Sequence, residues 1–369
     1  MPSPAWTPPL RLGEPAPWFE APAPGNPHYH LSTTAGRYVL LGFLPEPGAA
    51  RKAALAALAA HRALFDDHQL SAFLVARDEA TIARARQESG VRWLFDADGR
   101  ISRLYGALEG AEARPYWLLL DPMLRVLATA SMTGTADLFA RLVALPSVAG
   151  HAGVELYAPV LIVPRVFEAQ ICQRLIALYA ADGGSPSGVM RDVDGRTVGV
   201  LDGFKRRRDV TIKDKGLRAE LLSRLSRRLV PEIAKVYQFQ TTRLERYIVA
   251  CYDAGEGGYF RAHRDNTTRG TAHRRFAVTL NLNAEEYEGG ELCFPEYDDR
   301  GYRASTGGAV VFGCSVMHEA LPVTKGTRYC VLPFLYDEAG ARVRAKNSEF
   351  LDDPKLREVA VAWAPKAAE

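Results

Sequence analysis

The sequence predicts two domains: an α/β sheet flanked by helices in the first half, and an α+β unit built on a double-sheet jelly roll with flanking helices in the second. Three observations carry this. A chain of 369 residues exceeds one ordinary hydrophobic core. Apolar strand-like runs alternate with helical periodicities up to residue 147, whereas from residue 247 short strands follow one another with turn signals between them. All five cysteines (Cys172, Cys251, Cys293, Cys314 and Cys330) lie beyond residue 171, so the two parts differ in composition as well as pattern.

Composition excludes more than it assigns. A formal charge of +3 leaves no electrostatic footprint for nucleic acid. No apolar run is long enough to span a bilayer. The opening Met-Pro-Ser-Pro-Ala-Trp-Thr-Pro-Pro lacks the basic and apolar regions of a signal peptide. The cysteine spacings match no zinc motif, and Cys251, Cys293 and Cys330 sit inside apolar runs. They read as small buried hydrophobes of a reducing compartment, and the expected location is the cytoplasm.

Taken in order, residues 1–27 are rich in proline and alanine and read as an extended arm. Strands are expected at 37–44, 70–76, 116–120 and 125–129. Helices are expected at 49–65, at 79–88 behind the capping Asp78, at 101–105, and at 135–145. This order, with the opening Gly-Glu-Pro-Ala-Pro-Trp-Phe, resembles the peroxiredoxin branch of the thioredoxin fold over residues 10–147. The resemblance implies a cysteine just after the first long strand, and neither that cysteine nor a Cys-x-x-Cys pair is present. Thiol chemistry needs a sulfur nucleophile. Arg114, where the family keeps an arginine near its thiolate, therefore reads as a surface cation. The first domain, 1–147, is expected to bind a partner or to form a homodimer, and not to catalyse.

Residues 148–157 are small and flexible and form a linker to the second domain, 158–369. A short strand at 158–164 and an amphipathic helix at 166–181 open it, followed by a loop at 183–195. The run Lys205-Arg206-Arg207-Arg208-Asp209 is either a solvated face or a flexible segment that gathers an anionic substrate. Leu217, Leu221, Leu225 and Leu229 form one apolar helical stripe, interrupted or restarted by Pro231. Strands follow at 247–252, 276–283, 292–294, 309–312 and 329–336. Pro333, which cannot donate to a ladder, belongs at an edge or a bulge.

The first of these strands leads into Asp-Ala-Gly-Glu-Gly-Gly-Tyr-Phe-Arg-Ala-His-Arg-Asp-Asn, ending in His263 and Asp265. Residues two apart in extended chain point to one side, so an imidazole and a carboxylate can converge there. That is two-thirds of the 2-His-1-carboxylate face that holds non-haem iron. His-x-Asp alone is weak. From residue 154 onward, however, the only other histidines are His273 and His318, and Arg328 follows His318 by ten residues.

With the runs Ala-Cys-Tyr, Tyr-Glu-Gly-Gly-Glu-Leu and His-Glu-Ala-x-Pro-Val, this ordered set resembles the 2-oxoglutarate-dependent Fe(II) oxygenases, most nearly the prolyl-4-hydroxylase-like group, over residues 158–338. The resemblance implies a double-stranded β-helix in which His263, Asp265 and His318 hold Fe(II). Arg328 would bind the far carboxylate of 2-oxoglutarate, and Tyr252 would help hold that cosubstrate. Asn281 falls where some relatives carry a tyrosine reaching the same carboxylate. Arg264, Asn266, His273 and Arg275 are the candidate substrate contacts, with plain exposure the alternative for His273. O2 is the second cosubstrate and ascorbate the candidate reductant. Asp265 favours hydroxylation or desaturation, since halogenating relatives lack that carboxylate. The implied reaction hydroxylates an unactivated C–H bond of a peptidyl residue, with release of succinate and CO2. A free amino acid or other small metabolite is the alternative substrate, and a non-catalytic scaffold that binds metal and 2-oxoglutarate is the alternative function.

Overall fold

A computed structural model describes residues 8–86, 88–132 and 135–362. The first seven residues of the expected arm lie outside them. The chain forms two compact units, one running to Tyr157 and including Pro295–Asp299, the other comprising Ala158–Phe294 and the residues from Arg300 on. None of the helices in the described residues is long and apolar enough to cross a membrane.

The first unit is a mixed five-stranded sheet in the order Val91–Phe95, Leu70–Ala76, Tyr38–Phe43, Tyr116–Leu120, Val126–Ser131. The first three strands run parallel and the last two antiparallel. Helices Ala49–Ala60 and Thr135–Val143 pack on it through Leu58, Leu138 and Phe139. The strand Val91–Phe95 escapes the sequence reading because Arg92 breaks its apolar run; the guanidinium is instead held by the Asp67 carboxylate, with Nη2 to Oδ2 at 2.7 Å. The arm expected at 1–27 is structured at its end: Glu20–Ala23 pairs with Asn26–His30, which runs just past it.

The second unit is built on two antiparallel sheets. The larger one follows the order Leu161–Val163, Ala309–Gly313, Phe276–Asn281, Thr327–Val331, Ile248–Asp253, Arg208–Thr211, Ser185–Pro186. Strands Arg243–Glu245 and Phe334–Tyr336 pair beside this path. The smaller sheet runs Lys205–Arg206, Tyr259–His263, His318–Ala320, Leu292–Cys293. Strict alternation along Phe276–Asn281 sorts the two faces: Val278 and Leu280 join the core under the helices, together with Leu217, Leu221, Leu225 and Leu229. The first three of those leucines line helix Lys215–Arg228, capped by the Asp214 side chain; Leu229 is its C-cap, and Pro231 starts a second helix, Val230–Tyr237. The expected loop at 183–195 is instead the strand Ser185–Pro186 and the hairpin Val189–Val193 with Arg196–Val200. Its half-exposed residues carry no apolar face for periodicity to register.

Leu221 is 1% exposed at the centre of the helix-to-sheet contact. Replacing it with alanine leaves a cavity that the rigid sheet cannot close. Leu221→Ala is expected to lower the stability of the second unit by about 2–5 kcal/mol in urea unfolding.

Candidate metal centre and active site

Strand Ile248–Asp253 turns back on itself at Gly258, whose N–H donates to Asp253 O at 2.8 Å. A Cβ at 258 would stand 2.8 Å from the Tyr252 Cα, so only glycine allows this close return. The chain then runs up Tyr259–His263, which pairs antiparallel with His318–Ala320 and sets His263 directly opposite His318. Asp265 follows, its N–H anchored on Cys314 O at 2.9 Å.

The three side chains converge. His263 Nε2 lies 3.5 Å from Asp265 Oδ1, and His318 Nε2 lies 3.3 Å from Asp265 Oδ2. One ligand atom from each falls within 4.8 Å of the other two. Both Nδ1 atoms face backbone carbonyls, His263 at 2.8 Å from Arg261 O and His318 at 3.1 Å from Val316 O. A proton on each Nδ1 leaves both Nε2 lone pairs aimed at the carboxylate. Two nitrogen acceptors and an anion facing one another are complementary to a cation, and the donor set fits a first-row transition metal such as Fe(II). Phe260 stacks on His263 with centroids 3.5 Å apart, and Phe312 lies 4.4 Å from His318, so the rings are held by packing as well as by hydrogen bonds.

Electrostatics agree. Burial, with His263 adding to it, pushes His318 down to about 4, which keeps the ring neutral near pH 7. Burial alone would raise the Asp265 carboxyl, but His318, His263 and Arg274 outweigh it and hold the group well below the usual carboxylate range.

The triad opens into a pocket between the two sheets, lined also by Tyr252, Arg207, Arg246, Arg328 and Phe334. Arg328 is 2% exposed, with Nε and Nη1 lacking hydrogen-bond partners. Its guanidinium lies over the ring of Tyr252, its cross-strand neighbour, 4.9 Å from the centroid. A buried guanidinium with two unsatisfied nitrogens is costly alone and suited to a planar carboxylate. The Tyr252 hydroxyl accepts a 3.4 Å hydrogen bond from Arg207 Nη1.

Residues 247–336 match the 2OG-Fe(II) oxygenase superfamily. This segment is a 2OG-Fe(II) oxygenase domain. A PKHD-type hydroxylase of Synechococcus sp. is 25% identical over 145 residues, 38% of this chain and 57% of the relative. Another, from Azoarcus sp., is 33% identical over 89 residues, 22% of this chain and 39% of the relative. The chain thus spans about half the length, or less, of these curated relatives. Among solved structures, a Pseudomonas putida prolyl-4-hydroxylase is similar over 48% of this chain and 92% of its own, at 19% identity and TM-score 0.38. A Trichoplax adhaerens prolyl hydroxylase in complex with a hypoxia inducible factor peptide fragment is similar over 57% and 94%, at 18% identity and TM-score 0.41. The family requires Fe(II), 2-oxoglutarate and O2, and the oxygenase domain supplies a metal triad for it.

Around this centre, several expected roles shift. His273, expected to touch substrate or lie exposed, is 2% exposed, with Nε2 2.9 Å from Glu245 Oε2. Glu245 also accepts from Arg274 Nε at 2.6 Å, so His273 belongs to a buried ionic cluster. Arg264 is buried and donates to Ser315 O, Arg275 donates to Ala272 O at 3.0 Å, and Asn266 is half-buried. These four residues are not among those lining the pocket. Asn281 is committed to Ala304 O at 2.7 Å. The basic run is neither flexible nor solvated throughout. Lys205–Arg206 closes one edge of the smaller sheet and Arg208–Thr211 joins the larger one. Lys205 is buried and donates to Ser187 Oγ at 2.9 Å; burial, then Arg207 and Arg246, push its amine down to about 6. Sequence reasoning missed Phe260 and Arg246 as pocket residues and had Arg207 only as one member of the basic run. For Arg207 the available signal was the Arg-x-Asp spacing with Asp209, which sets the pair two residues apart.

Burial also lowers His273, against the opposing pull of Glu245. A histidine whose folded pKa lies below its unfolded value resists protonation only when folded. Its stabilising contribution is complete above the unfolded pKa of about 6.5 and is lost as pH falls toward the folded value. In the metal-free protein, His273 and His318 are expected to make stability fall as pH drops from about 6.5 toward 4. Urea midpoints measured across that range should decline less steeply in His273→Gln.

Proposed function

We propose that this chain is an Fe(II)- and 2-oxoglutarate-dependent hydroxylase acting on an unactivated C–H bond of a peptidyl amino-acid residue, with release of succinate and CO2. The observation that carries the reading is the convergence, in one pocket, of a two-histidine, one-carboxylate triad and a buried arginine with unsatisfied nitrogens. His263, Asp265 and His318 would hold the iron. Arg328 would bind the far carboxylate of 2-oxoglutarate, and Tyr252 would brace that arginine through its ring. Bound iron with its 2-oxo acid supplies the oxidising power. The protein supplies orientation through the two Nδ1–carbonyl bonds, and a dry wall from Phe260, Leu292, Phe312 and Ala320. A peptidyl substrate is supported by the peptide held by the Trichoplax prolyl hydroxylase.

For the first unit, we propose a thioredoxin-like domain that presents substrate or mediates homodimerisation. Its three parallel strands and flanking helices support that reading. Residues 1–171 contain no cysteine, and the five in the remainder are buried and form no disulfide, which fits a reducing, cytoplasmic setting.

His263→Ala and Asp265→Ala should each reduce iron-dependent succinate formation to background, because the remaining two ligands hold metal weakly. Arg328→Gln should leave iron binding intact and weaken 2-oxoglutarate about 10- to 100-fold, as loss of a charge-assisted pair implies. Full turnover by a ligand variant would refute the assignment. The full-length protein, freed of metal, is expected to consume hydrogen peroxide no faster than buffer, since thiol peroxidases need an accessible thiolate.

A further inference from the structure

Three guanidiniums line the pocket, and they are not equivalent. Arg207 is saturated: Nε and Nη2 each lie 2.7 Å from an oxygen of Asp209, Nη2 also reaches Ser187 Oγ at 3.0 Å, and Nη1 reaches the Tyr252 hydroxyl. Its charge is neutralised in place. Arg328 is the cosubstrate arginine of the reading above. Arg246 has neither duty. Its Nε donates to Leu332 O at 3.3 Å and its guanidinium lies 4.7 Å over the Phe334 ring. Among the described residues it makes no ion pair, and its Nη atoms have no hydrogen bond.

Backbone geometry singles out the same residue. Val249 pairs with Val331 and Glu245 with Phe334, so Arg246, Tyr247 and Ile248 stand opposite only Leu332 and Pro333. This one-residue excess is a bulge, a device that re-aims a side chain next to a site. Arg246 takes the left-handed φ of +70° within it. Glycine enters that region freely and an arginine does so at a cost, so the side chain is what the position provides. Burial, with Arg207 adding to it, pushes the Arg246 guanidinium down to about 10, a penalty an incoming anion would relieve.

We infer that Arg246 binds a carboxylate of the prime substrate, making this a hydroxylase for a substrate that carries a free carboxylate near the oxidised carbon. The inference rests on the 2-oxoglutarate reading for the pocket's charge balance. A divalent metal with Asp265, and the 2-oxoglutarate dianion with Arg328, together sum to neutrality. Arg207 and Asp209 cancel. One positive charge remains, on Arg246, and a monoanion matches it. A carboxylate meets the planar fork of one guanidinium, whereas a phosphate dianion would bring a charge too many. A free amino acid and the C-terminus of a peptide share this chemistry.

The test is equilibrium binding to the full chain loaded with Zn(II) and 2-oxoglutarate, which cannot turn over. The probes are free amino acids, N-acetyl amino acids and N-acetyl tripeptides, each as the acid and as the matched carboxamide. At least one acid should bind about tenfold or more tighter than its amide, and the length of that probe separates the two sources. In Arg246→Gln the preference should vanish, while 2-oxoglutarate affinity stays within about twofold, well short of the loss of a charge-assisted bond. Arg246→Gly, which suits the backbone φ, should behave the same way with an unchanged melting midpoint, so lost binding cannot reflect unfolding. The proposal is overturned if no acid outdoes its amide, if the preference survives in both variants, or if these variants lose 2-oxoglutarate as Arg328→Gln does. An acid preference that requires Arg246, in a protein that makes no succinate with iron, would instead refute the hydroxylase reading and leave the carboxylate subsite standing.

Discussion

The pairing of Tyr259–His263 with His318–Ala320 sets His263 opposite His318, and the rest of the second unit is arranged around that ladder. Side chains alternate faces along a strand, so a slip of one residue would turn one imidazole out of the pocket. The register is held from several directions. A glycine at 258 lets the chain fold back tightly enough to begin the strand, and a register shift between Phe260 and His263 adjusts its twist before the ligand. Beyond the strand, the bond from Asp265 N to Cys314 O ties the carboxylate to the turn that leads into His318. Arg328 comes from the other sheet, so the spacing of the two sheets sets the distance between the metal ligands and the cosubstrate arginine.

Such a pocket concentrates charge that the fold must offset. Behind it, Glu245 accepts from Arg274 and His273, with Arg344 Nη2 at 3.3 Å. Removing one member of a buried cluster of this kind leaves the others uncompensated, which is why it reads as architecture. The cluster fixes the turn at 267–275 that delivers strand Phe276–Asn281 to the centre of the larger sheet. Glu245 and Arg246 are adjacent in sequence yet serve opposite sides. The carboxylate faces the structural cluster, and the guanidinium faces the pocket.

What the sequence made legible follows from the range over which each cause acts. Phe276–Asn281 and the leucine stripe of Lys215–Arg228 obey local periodicities, and their cores are as expected. His263, Asp265 and His318 were readable because their order and spacing are covalent facts, and the structure brings them together. His273 was misread because its partner, Glu245, lies 28 residues away and nothing local marks the pairing. Lys205 looked solvated because charge usually is; its burial depends on Ser187, Gly188 and the Phe260 ring, all contributed by other segments of the chain. Arg246 carried no signal, since a bulge is a property of two strands together.

Pro333 lies opposite that bulge without causing it. The register of Phe276–Asn281 against Thr327–Val331 continues unbroken into Phe334–Tyr336, and the Pro333 carbonyl accepts from Val278 N at 3.1 Å. The N–H and C=O of one residue in an extended strand point to the same side, so the bond that proline withholds is one to Phe276–Asn281. The side facing Ile248–Asp253 belongs to Leu332. There the partner strand carries one residue more, at Arg246–Ile248, and the Leu332 carbonyl takes Arg246 Nε in place of a backbone donor. That side-chain bond anchors an arginine with φ of +70° beside ladders that are otherwise regular.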